Sequence, residues 1–319
     1  MEEQIHKLEK DVSIIIVNYN STELLKNCLD SLEKFTTGIN FEIIVVDNNS
    51  MTSDIDELLK FHDRITLIKN DVNRGFGAAN NQGVEVSNGK YVLLLNNDTI
   101  LFENSIKKVF DFAESLEGNE IIGCKLLNED KSIQKSVFDF PSFLNVFTSN
   151  FFLYLLFPKL KYFNKYHLMN RGMSRTTEVD VVTGAFLFIN RKSFDVLGGF
   201  DERFFFYMDD TDLCYRHKKN KHRVVYYPET AIIHLKGKSA KGESWFKNKH
   251  QSISTIKFLQ KHFFGLEFLL MLFFHYAGLL LRIPLFILGG LFTLNKNLTM
   301  RGVYYLRLIF IYPANEFKI

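Results

Sequence analysis

Five of the six residues in Val12–Val17 (VSIIIV) are β-branched and apolar. A strand with that pattern is covered on both faces, and such strands belong to parallel sheets sandwiched by helices. The run ends in the polar turn Asn18-Tyr19-Asn20-Ser21-Thr22. Leu24, Leu25, Cys28, Leu29 and Leu32 then fall on one helical side, with Ser21 or Thr22 as N-cap. The cycle recurs as strand Phe41–Val46, a DNNS turn and a helix near Ile55–Phe61. Strand Ile65–Ile68, a helix near Ala78–Val86 and strand Tyr91–Leu95 follow, the last ending at Asn96-Asn97-Asp98. Four strand–helix alternations with short connections specify an α/β fold with a mostly parallel sheet and helices on both faces.

After a helix at about 103–116 the rhythm changes, and residues 139–178 read as irregular and aromatic. A second ordered block runs from Val179 to His234: a strand VVTGAFLFI, the turn GGFDERFFFY, a helix DDTDLCYRHKK, and the strand-like segments RVVYY and AIIHL. From Trp245 onward the pattern is helical. The expected organisation is therefore a domain over 1–240 and a helical, aromatic-rich region over 241–319. Composition excludes other classes. The 319 residues are 46% hydrophobic and 24% charged, which rules out a disordered or collagen-like chain. A net charge of +3 argues against a polycation that coats nucleic acid. Cys28, Cys124 and Cys214 are odd in number and widely spaced, so no disulfide framework or structural zinc site is expected. The polar amino terminus has no apolar signal-peptide core, so the body of the protein is expected in the cytosol.

Ligands of open parallel sheets bind beyond the carboxyl ends of the strands. Three such ends are polar here: Asn18-Tyr19-Asn20, Asp47-Asn48-Asn49 and Asn96-Asn97-Asp98. One alone reads as turn chemistry, because Asn and Asp cap helices and tolerate left-handed backbone. Three at one edge point to a site. The first turn, NYNST, has no glycine and so is not a dinucleotide fingerprint; the only glycine-rich stretch, Arg74-Gly75-Phe76-Gly77-Ala78-Ala79-Asn80, follows the third strand. No P-loop is present either. A nucleotide site without those loops needs another way to neutralise phosphate, and a divalent metal on a carboxylate such as Asp98 supplies one. The densest acidic cluster is Asp201, Glu202 and Asp209-Asp210-Thr211-Asp212. It reads either as a helix N-terminus favoured by the macrodipole or as carboxylates raised in pKa by the surrounding Phe and Tyr and suited to base work.

Seven segments, VSIIIVNYNS, EIIVVDNNS, NRGFGAANNQG, YVLLLNND, VTGAFLFI, GGFDERFFFYMDDTDLCYR and IIHLKGKS, occur in order over about residues 12–240. In order and spacing they resemble family 2 glycosyltransferases of the GT-A nucleotide-diphospho-sugar transferase fold, and most of all the bacterial rhamnosyltransferase-like branch that builds surface polysaccharides. The resemblance implies inverting transfer of a sugar from a UDP- or dTDP-sugar to a hydroxyl of a lipid-linked glycan or polysaccharide. It implies Asn18 and Tyr19 at the base pocket, Asp47 on the base or ribose, and Arg74, Gly75 and Asn97 near the nucleotide. Asn96-Asn97-Asp98 stands at the family's DxD position, with Asp98 bearing Mg²⁺ or Mn²⁺ and His234 as second ligand. Asp209-Asp210 stands where Glu-Asp is common; Asp210 aligns with the catalytic base, and Asp209 lies beside donor sugar and acceptor. Gly184, in Thr183-Gly184-Ala185, brings small-residue backbone to the donor sugar or acceptor, or else is a strand bulge. Val181 stands where the branch often has Trp. A nucleotidyltransferase would carry a glycine-rich basic loop in the first turn, which NYNST lacks; a non-catalytic scaffold of a polysaccharide assembly complex is the alternative of a different class.

Of the 33 phenylalanines, many crowd into 138–163 and 258–292. The stretch Phe268–Leu281 is apolar but only 14 residues long, and Arg282 and Pro284 interrupt it. That length favours a buried core or interfacial helix over a span. An interfacial helix at the cytoplasmic face of the membrane is expected, with one span or hairpin and a soluble core or oligomer helix as the alternatives. Flanking Lys257, Lys261, Lys296, Arg301 and Arg307 suit an anionic leaflet. Residues 143–157 offer a second membrane contact, a cover for a lipid-linked acceptor, or a packed subdomain.

Overall fold

In the computed structural model, which describes residues 10–51, 55–56, 65–157, 159, 174–235 and 245–312, the first apolar run lies in the interior of the sheet. Strand β1 (Lys10–Asn18) pairs in parallel with β2 (Phe41–Asp47) on one side and β4 (Gly89–Asn96) on the other. Strand β3 (Ile65–Lys69) adds in parallel to β2. Ile14, Ile15 and Ile16 are fully buried, so both faces of β1 are covered. Helix α1 (Thr22–Phe35) places Leu25, Cys28, Leu29 and Leu32 in one core with Ile14 and Ile16. Helix α2 (Phe76–Glu85) meets Ile15, on the opposite face, at Gly83. Ser21 is the N-cap of α1, yet its hydroxyl donates to the carbonyl of Tyr19 (3.1 Å) rather than capping. Most of the helix expected near Ile55–Phe61 lies outside the described residues; Ile55 and Asp56 are helical.

The rest of the sheet is mixed. Strand β11 (Phe186–Asn190) inserts antiparallel between β4 and β6 (Ile121–Leu127), and β12 (Val224–His234) continues in parallel with β6. Strand β5 (Thr99–Ile100) pairs with the end of β12, giving the order β3-β2-β1-β4-β11-β6-β12-β5. The short strands β7 (Ile133–Gln134) and β9 (Thr177–Val179) extend β6 and β12. Two details depart from the sequence expectation. RVVYY and AIIHL form one strand, bent by a register shift between Tyr227 and Ala231. VVTGAFLFI is two strands: Val181–Val182 (β10) leaves the main sheet to pair with β8 (Val137–Phe138), and the chain turns at Thr183–Ala185 before β11. Helices α3 (Ser105–Glu114), α6 (Arg191–Val196) and α7 (Asp209–Lys219) accompany this half.

The chain divides into two compact units, one of Met1–Phe138, Met169–Phe205 and Asp209–Lys241, the other of Asp139–Leu168, Phe206–Met208 and Gly242–Ile319. The second differs from a simple cut at residue 240 by taking in residues 139–168. Aromatic packing gives the reason: Phe143, Phe147 and Phe151, on and just after α4 (Phe143–Asn150), surround Phe274 with ring centroids 5.4, 4.9 and 5.8 Å away. Leu155 and Leu156 of the short helix α5 (Leu153–Leu156) stay exposed. The unit also contains α8 (Trp245–His262), α9 (Gly265–Phe292) and α10 (Lys296–Leu308). Arg282 and Pro284 do not end α9, which runs unbroken for 28 residues and is long and apolar enough to cross a membrane. Arg282 is accommodated because its guanidinium donates to the carbonyls of Ser149 (3.1 Å) and Asn150 (3.2 Å), at the negative end of α4, and to that of Gly278, one turn back in α9 (2.9 Å).

A Cβ at Gly83 would lie 2.4 Å from Ile15 Cγ2 and 3.3 Å from Val46 Cγ2. Gly83→Ala is therefore expected to destabilise the protein by about 1–3 kcal/mol through overpacking, read as a lower urea midpoint at unchanged slope.

Candidate functional site

Asn18 ends β1 and Asp47 ends β2, and the two are register partners. Asn18 is completely buried, so its amide needs partners within the protein. Its Nδ2 donates to Asp47 Oδ1 (3.0 Å) and Ser50 Oγ (3.3 Å), and its Oδ1 accepts from Asn97 Nδ2 (2.9 Å). Asp47 also accepts from the Ser50 hydroxyl (2.6 Å) and amide (3.2 Å). Beside these residues a cavity of about 420 Å³ is lined by Asp47, Ser50, Lys69, Asn70 and Asp71 among others. Tyr19 is 43% exposed and stands free of the buried network. Buried Asn48 ties the glycine-rich loop to the end of β2. Its Nδ2 donates to the Gly75 carbonyl (3.1 Å) and its Oδ1 accepts from the Arg74 amide (2.9 Å), while the Arg74 side chain is exposed. Gly75 has φ of 87°, and a Cβ there would come within 2.5 Å of the Phe205 carbonyl oxygen; only glycine fits.

Asp98 and His234 are brought together by the β5–β12 pairing, in which His234 faces Thr99. His234 Nε2 lies 3.2 Å from Asp98 Oδ1, and both side chains are largely buried. Gln134 sets the imidazole. Its Nε2 donates to Asn128 Oδ1 (2.7 Å) and the His234 carbonyl (3.0 Å), which leaves Oε1 facing His234 Nδ1 at 2.6 Å. An acceptor there places a proton on Nδ1 and turns the Nε2 lone pair toward Asp98. Two acceptors 3.2 Å apart need a proton or a cation between them. One imidazole nitrogen and one carboxylate oxygen are donors that suit Mn²⁺ or Mg²⁺ when ligand oxygens complete the shell. Among the described residues no group of three or more His, Cys, Asp or Glu surrounds a potential metal position.

The acidic cluster separates by partner. Asp201 pairs with Arg203, Glu202 accepts from Asn81 (3.2 Å), and Asp212 pairs with Arg216 (2.7 Å). Arg216 also holds the Leu197 and Gly199 carbonyls (2.6 and 2.7 Å), fixing the Gly198-Gly199 turn against α7. Asp209 and Asp210 form no ion pair among the described residues. Asp209 is buried and its Oδ2 lacks a hydrogen-bond partner. Burial, together with the negative charge of Asp210, pushes its carboxyl up to about 8, so it holds a proton at neutral pH. Half-buried Asp210 is raised as well by desolvation, but donors oppose the rise: Gly184 N to Oδ2 (3.1 Å), and Thr211 N (2.7 Å) and Oγ1 (3.2 Å) to Oδ1. Tyr207 and Met208, just before α7, both have left-handed backbone (φ 68° and 65°).

The end of β4 joins these groups. The Asn96 amide donates to the Ala185 carbonyl (3.2 Å), next to the Gly184 that holds Asp210, and Asn96 Nδ2 approaches His234 Nε2 at 3.4 Å. Asn97 bonds Asn18, and Asp98 faces His234. Three consecutive residues thus touch the Asn18–Asp47 network, the Gly184 turn and the imidazole. A Cβ on Gly184 would lie 3.1 Å from the Phe76 ring, which links the glycine-rich loop to the same place. Ser50, Asn48, Asn96 and Gln134 are participants that the sequence reading does not single out. Asn48 and Asn96 sit inside the polar strand ends it names, and Ser50 closes the DNNS turn. Gln134 belongs to a two-residue strand 100 positions from His234 and carries no local signal.

A model of the family described as glycosyl transferase family 2 matches residues 13–198. The chain belongs to that family. Over 231 residues it is 28% identical to the rhamnosyltransferase WbbL of Escherichia coli K12, covering 70% of this chain and 83% of that protein. It is 25% identical to the N-acetylglucosaminyl-diphospho-decaprenol L-rhamnosyltransferase of Mycobacterium tuberculosis, covering 71% of this chain and 76% of that one. Other curated relatives extend well beyond the match, which spans 21% of one and 62% of another. Among solved structures, a mannosyltransferase of Pyrobaculum calidifontis in complex with GDP-Man and Mn²⁺ superposes with a TM-score of 0.56 over 94% of this chain and 86% of its own, at 14% identity. That likeness places the family 2 chain in the GT-A fold.

The protonation of Asp209 gives a stability signature. An unfolded aspartate loses its proton near 4, the folded one near 8. Between those values the folded state binds more protons, so stability falls as pH rises across that window. Asp209→Asn is expected to flatten the decline in thermal midpoint between pH 5 and pH 8 on the order of the linkage effect, measured beside the parent protein; parallel slopes would show Asp209 ionised throughout.

Proposed function

We propose that this family 2 enzyme transfers a sugar with inversion from a UDP- or dTDP-sugar to a hydroxyl of a lipid-linked glycan or growing surface polysaccharide, at the cytoplasmic face of the membrane. The observation that carries the reading is the attachment of Asp210, through Gly184 and Ala185, to the β4 end that bears Asp98. A base and a diphosphate site joined in this way are what displacement at an anomeric carbon requires.

In this reading the acceptor oxygen attacks the anomeric carbon, the bond to the diphosphate oxygen breaks, and the acceptor's proton passes to Asp210. Gly184 N and Thr211 hold the carboxylate in one orientation, and protonated Asp209 beside it keeps the local charge at one. Asp209 and the Gly184 backbone flank the donor sugar and acceptor. Asn18, Asp47 and Asn97 form the rigid floor for base and ribose, Tyr19 is the exposed ring available to stack on the base, and Arg74 with Gly75 borders the nucleotide. Mg²⁺ or Mn²⁺ held by Asp98 and His234 would act as a Lewis acid on the departing diphosphate. Gln134 keeps the imidazole in the ligating tautomer. Support for the donor class comes from the nucleotide-sugar and Mn²⁺ bound by the P. calidifontis mannosyltransferase. Support for rhamnose and a polyprenyl-linked acceptor comes from the names of the E. coli and M. tuberculosis relatives.

Asp210→Asn is expected to keep donor binding, read as the same donor-induced rise in thermal midpoint, while transfer falls by about 10²–10⁴-fold; retained transfer removes Asp210 as the base. Asp98→Ala is expected to abolish the metal dependence of donor binding in calorimetric titration, and an unchanged metal effect removes it from the metal site.

A further inference from the structure

We propose that α9 lies in the plane of an anionic membrane surface and does not cross it, with one uncharged stripe along its length as the inserted face. The inference rests on the membrane placement proposed above, independently of the transfer chemistry.

Leu266, Leu269, Phe273, Leu280, Leu288 and Leu291 are all exposed, by 55% or more. Their spacings of three, four, seven, eight and three residues keep them on one side of a helix turning 100° per residue. Pro284 falls on the same side, and Arg282 on the opposite one. That opposite side is occupied. Gly278 touches Asn150 of α4, where a Cβ would come within 2.5 Å, and Arg282 binds the end of the same helix. A spanning helix meets lipid around most of its circumference; α9 presents lipid-compatible surface along one side only, as an interfacial helix does.

The chain also returns. Asn295 caps α10 by accepting from the amides of Asn297 and Leu298, and its own amide donates to the Gly290 carbonyl (2.9 Å). From there α10 runs back along α9: Gly290 abuts Thr299, Gly302 abuts Ile287, the Phe286 and Tyr305 rings lie 5.3 Å apart, and the Tyr276 hydroxyl donates to the Ile311 carbonyl (2.8 Å). Partner numbers rise on one helix as they fall on the other, so the two form an antiparallel hairpin. If α9 crossed the bilayer, α10 would enter with it, carrying Lys296, Arg301 and Arg307 into hydrocarbon, where charged groups are strongly disfavoured. Pro284, with no N–H for the Leu280 carbonyl, would add an unpaired acceptor there; at an interface water satisfies it.

Charge identifies the occupant. From Trp245 to Tyr312 the chain carries eight Lys and Arg against one acid, Glu267. A second copy of so basic a segment would repel itself, whereas an anionic leaflet attracts it.

The test uses the full-length chain with phosphatidylcholine vesicles, with and without phosphatidylglycerol. The parent protein is expected to co-float with the anionic vesicles and to release as salt rises. The triple substitution Leu269→Ser, Phe273→Ser, Leu280→Ser removes three exposed apolar side chains and is expected to weaken binding by at least about tenfold, with the thermal midpoint retained. Topology is read with Asn297→Cys, since the native Cys28, Cys124 and Cys214 are buried. An impermeant maleimide added outside is expected to label it on bound vesicles. Labelling only from the lumen would make α9 a span and overturn the proposal. Undiminished binding by the triple variant would do the same, as would self-association through the stripe without vesicle binding. Donor-induced stabilisation is followed on the same samples: if it persists when vesicle binding fails, the transfer reading stands and this inference alone is lost.

Discussion

Asn18 sits where a strand hydrogen-bonded on both sides runs out of sheet, and its side chain has no access to water. A buried primary amide left unpaired costs about 1–3 kcal/mol for each unmet group. Its requirements are met by the neighbouring strand ends, Asp47 from β2 and Asn97 from beyond β4. Three chain segments far apart in sequence are thereby locked at one height on the sheet edge. Asn97 being fixed, Asn96 and Asp98 on either side of it are fixed as well. The Gly184 turn, Asp210 and His234 take their positions from those two residues. The mixed half of the sheet serves the same end: β11 begins next to the turn that holds Asp210, and β12 ends on His234.

Electrostatics follows from this framework. Most acids of the second ordered block find a partner, Asp201 in Arg203 and Asp212 in Arg216, so the macrodipole of α7 is not the whole account of the cluster. Asp209 and Asp210 share a confined space with no ion-pair partner among the described residues, and for two adjacent carboxylates in low dielectric both being charged is strongly disfavoured. Hydrogen bonds separate the two: Asp210 accepts three, whereas Asp209 accepts one at Oδ1 from the Asp210 amide and none at Oδ2. The result is one carboxylate held in a fixed orientation beside a neighbour whose carboxyl is pushed upward by burial. Strain accompanies the arrangement, since Tyr207 and Met208 adopt left-handed backbone directly before the pair.

Much of the parallel half is legible in the sequence, because strands buried on both faces must be nearly continuous in β-branched residues, and Val12–Val17 and Phe41–Val46 are. The polar strand ends are legible for the complementary reason: a covered sheet can place buried polar groups only where its strands stop. Other features depend on tertiary partners that no local pattern encodes. VVTGAFLFI reads as one strand by composition, yet Thr183–Ala185 turns because Gly184 must bring its amide to Asp210. Arg282 reads as an interruption, and the C-terminal end of α4 makes it acceptable. Gln134 is invisible for the same reason, its role existing only once β7 lies beside the end of β12. Tyr19, implied by family resemblance alone, keeps an exposed ring that the protein itself does not use.

The central claim is that the joined strand ends form one nucleotide-diphospho-sugar site completed by a divalent cation. Thermal unfolding of the purified protein across a panel of nucleotide sugars, with and without Mn²⁺, tests it most directly. A donor at 100 times its dissociation constant contributes about 2.7 kcal/mol of stability. The account predicts selective stabilisation by one UDP- or dTDP-sugar that disappears when Mn²⁺ is chelated. Folded protein that responds to none of the donors, with or without metal, would contradict it.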